Sequence, residues 1–310
     1  MRPVVETVDL TKTYGNATVV DKLNLRIEEG DIFGFLGPNG AGKTTTILML
    51  LGLTEPTSGV ARICGYNSTR DPLKVKRLSG YVPEKVGFYE DLTAAYNLTY
   101  TARLNGLSEE LVMKRVGEAL DIVGLSEVGG HKVQEFSRGM KQRLAIADIL
   151  IKMPKVAFLD EPTAGIDPEG VKEMLGLIAK IAKERKMTVI LSSHQLPQVQ
   201  QICNCVGMLI KGRMVVEGKL DQLERDAFGG GRFRVEVQLA ETTSALVNCI
   251  KRIKGVIGVE KSGDLLLVTC QEDLRPQIAK VIVDNNGLLV QMKIQSYALE
   301  DIYMKYFSEA

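Results

Sequence analysis

The densest chemistry in the chain lies in Gly37-Pro38-Asn39-Gly40-Ala41-Gly42-Lys43-Thr44, which has the spacing G-x-x-x-x-G-K-[ST]. Glycines at these places let the backbone curl until successive N–H groups face inward, and a helix starting at the end of the loop adds the positive end of its dipole. The result is an anion cradle built from main chain. Lys43 supplies a point charge for the outer phosphates of a nucleotide, and Thr44 offers a hydroxyl ligand to Mg²⁺. The apolar run at residues 31–36 predicts a central strand covered on both faces, and residues 45–53 predict the helix that must follow the loop. By itself this loop specifies a nucleoside triphosphate; it does not separate a kinase, a GTPase or a motor.

A second group of reactive side chains lies far downstream in Lys155-Val156-Ala157-Phe158-Leu159-Asp160-Glu161-Pro162, a buried strand ending in two adjacent carboxylates. Neighbouring strand residues face opposite sides, so the two acids have different tasks. Asp160 is placed to hold the shell of Mg²⁺, directly or through water, and Glu161 to orient and deprotonate an attacking water. Alone, such a pair reads equally well as solvated loop acids; the phosphate loop in the same chain decides for the functional reading. Residues 188–194 form another apolar strand with His194 at its end, and a lone histidine there is more often structural. Between these strands Ser137 is a good N-cap for an amphipathic helix running to Ile151.

Taken in order, these motifs over residues 1–225 resemble the nucleotide-binding subunit of ATP-binding cassette (ABC) transporters. The resemblance implies an α/β fold: a P-loop NTPase cassette with a RecA-like core, an antiparallel β subdomain and an α-helical subdomain at about residues 88–153. It also implies ATP and Mg²⁺ as ligands and transport-coupled ATP hydrolysis. Tyr14 stands where the family stacks an aromatic on adenine, and the nucleotide loop runs from Gly37 through Pro38, Asn39, Gly40, Ala41, Gly42, Lys43 and Thr44 to Thr45. Phe136-Ser137-Arg138-Gly139-Met140 resembles the signature motif, Ala164-Gly165-Ile166-Asp167 the dimer-contact loop, and His194 the switch histidine that touches the γ-phosphate. In the family two copies meet head to tail, so Ser137 and Gly139 are expected to act on ATP held by the other copy. Lys43, Glu161 and His194 are the expected catalytic set, with Thr44, Asp160 and Glu84 at the metal.

Two departures stand out. The signature commonly reads Leu-Ser-Gly-Gly-Gln, whereas Arg138 replaces its first glycine here, and Glu84 occupies the position of a usual glutamine. Glu84 either binds metal more strongly or serves mainly as a contact to a membrane partner. Both departures are similar to those of single-cassette export ATPases that pair with a separate six-helix permease. By that analogy residues 86–93 lead into the surface that receives the permease, with Phe88 and Tyr89 as candidate contacts.

Composition narrows the classes further. With 39 Lys+Arg against 38 Asp+Glu in 310 residues, the near-neutral chain does not hold nucleic acid or anionic lipid by bulk charge. No run approaches the roughly 20 apolar residues of a membrane span, so contact with a membrane is expected only through the permease. The start of the chain shows no apolar signal core, and the five cysteines are odd in number and scattered, which points to a reducing cytoplasm. The cluster Gly229-Gly230-Gly231 marks the best boundary between a cassette at residues 1–226 and an accessory α+β domain at 227–310. In the latter, strands at 232–238, 256–261, 265–270 and 288–294 alternate with helices at 243–253 and 272–283 and a last helix at 299–307. The order β-α-β-β-α-β suggests a ferredoxin-like module for dimer support or regulation, with no catalytic constellation. Cys203 and Cys205, or Cys249 and Cys270, are too few to be read as metal sites. The competing function is a soluble, non-transport cassette ATPase, although neither a fused second cassette nor a coiled-coil insertion is visible.

Overall fold

The computed structural model describes residues 3–220, 222–223 and 233–294. They fall into two compact units, the first ending at Leu220 and the second containing residues 233–294.

The first unit opens with two long antiparallel strands, β1 (Val5–Tyr14) and β2 (Ala17–Ile27), whose alternating burial follows from apolar residues at every second position. They join β4 (Ser58–Ile63) and β5 (Tyr66–Asn67) in a sheet of order β2-β1-β4-β5. The second sheet contains β3 (Ile32–Leu36), β6 (Ser79–Val82), β7 (Val156–Asp160), β8 (Thr188–Ser193), β9 (Cys205–Ile210) and β10 (Arg213–Lys219), in the order β10-β9-β3-β8-β7-β6. It is parallel from β9 to β6, with β10 added antiparallel at one edge. Every residue of β7 and β8 is buried, as expected of strands in a sheet covered on both faces, and Phe33, Phe35 and Phe158 are among the largest fully buried side chains.

Helices fill the connections. α1 (Lys43–Leu50) follows β3, and α2 (Pro72–Leu78) leads into β6. Between β6 and β7 come α3 (Ala94–Leu104), α4 (Glu109–Ile122) and α5 (Arg138–Leu150), which pack on one another as a helical layer. α6 (Pro168–Arg185) and α7 (Leu196–Ile202) complete the unit. Each of α3, α5 and α6 begins at a residue whose side chain accepts from a backbone N–H in the first turn: Thr93, Ser137 and Asp167 respectively.

In the second unit β11 (Phe233–Leu239), α8 (Ser244–Lys251), β12 (Val256–Ser262), β13 (Leu265–Cys270), α9 (Arg275–Asp284) and β14 (Leu289–Ile294) follow in that order. The antiparallel sheet is ordered β12-β13-β11-β14. Val235, Val237, Leu266 and Val268 from the sheet pack with Leu246, Ile250, Ile278 and Ile282 from the two helices in one core. Gly263, at φ +62°, and Asp264 make the two-residue turn between β12 and β13. The glycine cluster at 229–231 and the helix expected at 299–307 lie outside the described residues. No helix among the described residues is long and apolar enough to cross a membrane.

Candidate functional site

The candidate nucleotide site is built where three parallel strands end. β3 releases the chain into the loop Gly37–Gly42, and α1 begins at Lys43 without a side-chain cap, so its first N–H groups are free to serve a ligand. Glycine is required at three places in this loop, among them Gly37 at φ +151°, where a Cβ would fall 2.3 Å from the Leu209 carbonyl oxygen. Gly40 and Gly42 stand at φ +80° and +104°, and a Cβ on Gly42 would fall 2.6 Å from the Val19 carbonyl oxygen. The loop, Val19, Glu84, Asp160 and Glu161 surround a cavity of about 270 Å³.

Lys43 is buried at the floor of this cavity, donating to the carbonyl oxygens of Gly37 at 2.6 Å and Pro38 at 3.2 Å. Its amine also lies 3.8 Å from Glu161 Oε1. Burial holds the Lys43 amine below the usual lysine range, and Glu161, Asp160 and Glu84 pull it partly back. Thr44 Oγ1 donates to Asp160 Oδ2 at 2.8 Å. Glu161 has a left-handed backbone, φ +49°, which turns its carboxylate away from that of Asp160 and toward His194, whose Nδ1 lies 2.9 Å from Glu161 Oε1. Tyr81, on the neighbouring strand β6, is half-buried, and burial together with the nearby Asp160 charge pushes its phenol up to about 12.

The cavity thus joins Pro38, Asn39, Gly40, Ala41, Gly42, Lys43, Thr44, Thr45, Glu84, Asp160 and Glu161, with Gly37 attached through Lys43 and His194 through Glu161. Three expected contacts lie elsewhere. Tyr14 closes β1 and is 52% exposed beneath the Lys12 amine, 4.9 Å from its ring centroid, and it does not line the cavity. Ser137 accepts from Met140 N–H at 3.2 Å and, with Gly139, lines a second cavity of about 620 Å³ between the helical layer and α6. In that cavity the Arg138 guanidinium covers Gly165: a Cβ there would fall 2.3 Å from Arg138 Nη1.

Residues not singled out from the sequence also build the site. Val19 closes one wall, and Ser192 links the two carboxylate positions by hydrogen bonds. A serine at the next-to-last position of a buried apolar strand is the sequence signal for the latter, since a polar side chain in such a place needs a partner.

The sequence profile described as ABC transporter matches residues 20–164, which include the loop, both carboxylates and the helical layer. The bacitracin transport ATP-binding protein BcrA of Bacillus licheniformis is 39% identical over 306 residues, covering 98% of this chain and 97% of that relative. This chain belongs to the ABC transporter family. It is an ATP-binding subunit of the exporter type, and such subunits are ATPases. The linearmycin resistance ATP-binding protein LnrL of Bacillus subtilis (strain 168) is 34% identical over 82% of this ABC subunit and 80% of its own length. Among solved structures, a dimeric post-hydrolysis ATP-binding cassette bound to ADP and Pi aligns with a TM-score of 0.64 and 27% identity, covering 70% of this chain and 98% of that one. ABC subunits of this kind dimerise and work with membrane permeases.

Proposed function

We propose that two copies of this ABC subunit enclose two ATP molecules head to tail and hydrolyse them to drive a separate permease from the cytoplasmic face of a membrane. The observation that carries this reading is a separation. Lys43, Thr44, Asp160 and Glu161 line one cavity, whereas Ser137 and Gly139, at the positive end of α5, line another. Neither cavity alone surrounds a triphosphate; facing each other across a two-fold axis, they would.

Within that assembly Lys43 and the loop amides hold the outer phosphates. Thr44 and Asp160 bring hydroxyl and carboxylate oxygens within 2.8 Å of each other, a hard oxygen set suited to Mg²⁺, and Glu84 lines the same cavity. When bound there, Mg²⁺ offsets charge on the phosphate oxygens. Glu161 orients a water and takes its proton, and His194 fixes the Glu161 carboxylate through Nδ1. Ser137 and the Gly139 amide complete the donor set from the partner copy. Tyr14, outside the cavity lining, would contribute its exposed ring to adenine.

The permease contact is assigned to the helical layer, where Tyr89, Tyr96 and Tyr100 are exposed and Tyr89 meets Tyr100 edge-on at 5.4 Å. Asn97 fixes this surface, accepting from the Tyr89 N–H at 2.9 Å and donating to its carbonyl at 3.1 Å. Three exposed tyrosines, two of them in ring contact, suit an amphipathic helix of a membrane partner. The relatives in bacitracin transport and linearmycin resistance support an antibiotic-like cargo. The second unit is assigned to dimer support or regulation.

Mixing variants tests the composite site. Lys43→Ala and Ser137→Ala should each be nearly inactive alone. An equimolar mixture should recover activity, because the mixed dimer contains one site with both residues intact. A mixture no more active than its parts would refute action across the dimer.

A further inference from the structure

Ser192 lies opposite Asp160 in the parallel register of β8 and β7 and is completely buried. Its hydroxyl donates to Asp160 Oδ1 and accepts from the Glu161 N–H at 3.1 Å. The same N–H also reaches the Ser192 carbonyl oxygen at 3.2 Å. Asp160 Oδ2 accepts from Thr44, so the two hydroxyls hold the carboxylate from both oxygens, with Ser192 at the buried one.

A hydroxyl can give one hydrogen and accept at its lone pairs at the same time. That dual capacity is what this position uses: a donor toward one acid and an acceptor for the next residue's backbone. Glu161 has a left-handed backbone at φ +49°, a conformation a glutamate holds only when its surroundings over-determine it. The paired contacts from its N–H to Ser192 are the restraint. They keep the Glu161 carboxylate 2.9 Å from His194 Nδ1 and 3.8 Å from Lys43 Nζ.

Resting on the nucleotide-hydrolysis reading above, we propose that Ser192 is a positioning residue for that reaction. Its single hydroxyl sets the aim of both acids, the metal-holding Asp160 and the water-activating Glu161. Fully buried and not part of the cavity lining, it acts through the two acids. A residue lacking this hydroxyl would leave Asp160 Oδ1 buried without a partner and Glu161 with half its restraint.

The test uses the full chain and two substitutions, Ser192→Ala and Ser192→Cys, the second filling the same space with a weak donor. Steady-state hydrolysis gives kcat and KM for ATP. Titration of a fluorescent ATP analogue with MgCl₂ gives the Mg²⁺ requirement of binding, and thermal melts check folding. Ser192→Ala is expected to lower kcat about tenfold or more and to raise the half-saturating Mg²⁺ concentration about tenfold. KM for ATP should stay within about twofold, because the phosphate loop is untouched. Ser192→Cys should fall between wild type and alanine, and it carries the test alone if the alanine variant does not fold. Wild-type kcat and Mg²⁺ dependence in Ser192→Ala, or in Ser192→Cys, would overturn the positioning role, the latter by assigning the site to packing. An inactive wild type would instead sink the hydrolysis reading, and the positioning role with it.

Discussion

Replacing Glu161 by glutamine removes one charge and almost no shape, so its consequences can be worked from the site. The two contacts that hold the left-handed backbone, Glu161 N–H to the Ser192 hydroxyl and carbonyl oxygens, do not involve the side chain and survive. An amide oxygen can still meet His194 Nδ1, now 2.9 Å from the carboxylate. The lost function is proton acceptance, which for a positioned general base is worth about 10² to 10⁴ in rate, or roughly 3 to 5 kcal/mol of barrier. Binding moves the other way. The charge removed is 3.8 Å from Lys43 Nζ, where a gross attraction of about 4 kcal/mol at an effective dielectric near 20 competes with phosphate for the amine. Repulsion between a carboxylate and the triphosphate disappears as well. Glu161→Gln should therefore bind ATP at least as tightly as wild type, hydrolyse it at least about a hundredfold more slowly, and accumulate as an ATP-bound dimer. A binding titration measures the affinity, phosphate release the loss of turnover, and light scattering after size exclusion with saturating ATP the dimer. A variant keeping more than about a tenth of wild-type turnover would refute the general-base assignment. A variant remaining wholly monomeric would refute the ATP-dependent pairing.

Other outcomes follow from single contacts. Gly42→Ala places a Cβ 2.6 Å from the Val19 carbonyl oxygen at a backbone φ of +104°, so ATP binding should be lost and a thermal melt should show destabilisation of about 1 to 3 kcal/mol. Burial lowers the Lys43 pKa from 10.5, so the native chain loses this proton before the unfolded chain does. Between the two values the unfolded state binds more protons, and this group's contribution to stability rises with pH toward 10.5. ATP affinity should fall over the same window as the charged amine is lost, at lower pH than an ordinary lysine would give, which binding titrations across pH would show. Ile250→Ala empties a fully buried position in the core of the second unit and should cost about 2 to 5 kcal/mol there by chemical denaturation, while ATP affinity of the first unit stays unchanged.

Much of the site is legible because its chemistry is local. A phosphate loop needs glycines with left-handed backbones followed by a lysine and a hydroxyl, and those occur within one short stretch; the strand before it and helix α1 after it are where the apolar pattern puts them. The pair Asp160-Glu161 is equally local. The meeting of Thr44 with Asp160, 116 residues apart, follows from the order of strands in the sheet, which periodicity alone does not specify. The role of Ser192 is not legible for the same reason: its partners come from register between β7 and β8. Strand β4 and edge strand β10 also escape the sequence pattern. Their exposed and half-buried positions give only weak alternation, and both are recruited by pairing with a neighbour, β1 and β9 respectively. Helix ends shift by a few residues because caps decide them: Thr243 accepts from Leu246 N–H and α8 ends at Lys251, short of the apolar run that continues to Ile253.

The two cavities of the first unit also bear on economy in the cell. In the proposed assembly, a chain whose Lys43 and Ser137 line separate cavities does not complete a site by folding upon itself. Hydrolysis by free copies then depends on chance encounters and falls with the square of dilution. A partner that tethers two copies raises their effective concentration to the millimolar range without any new contact at the nucleotide. Idle subunits would spare ATP, and turnover would concentrate at the membrane protein it serves.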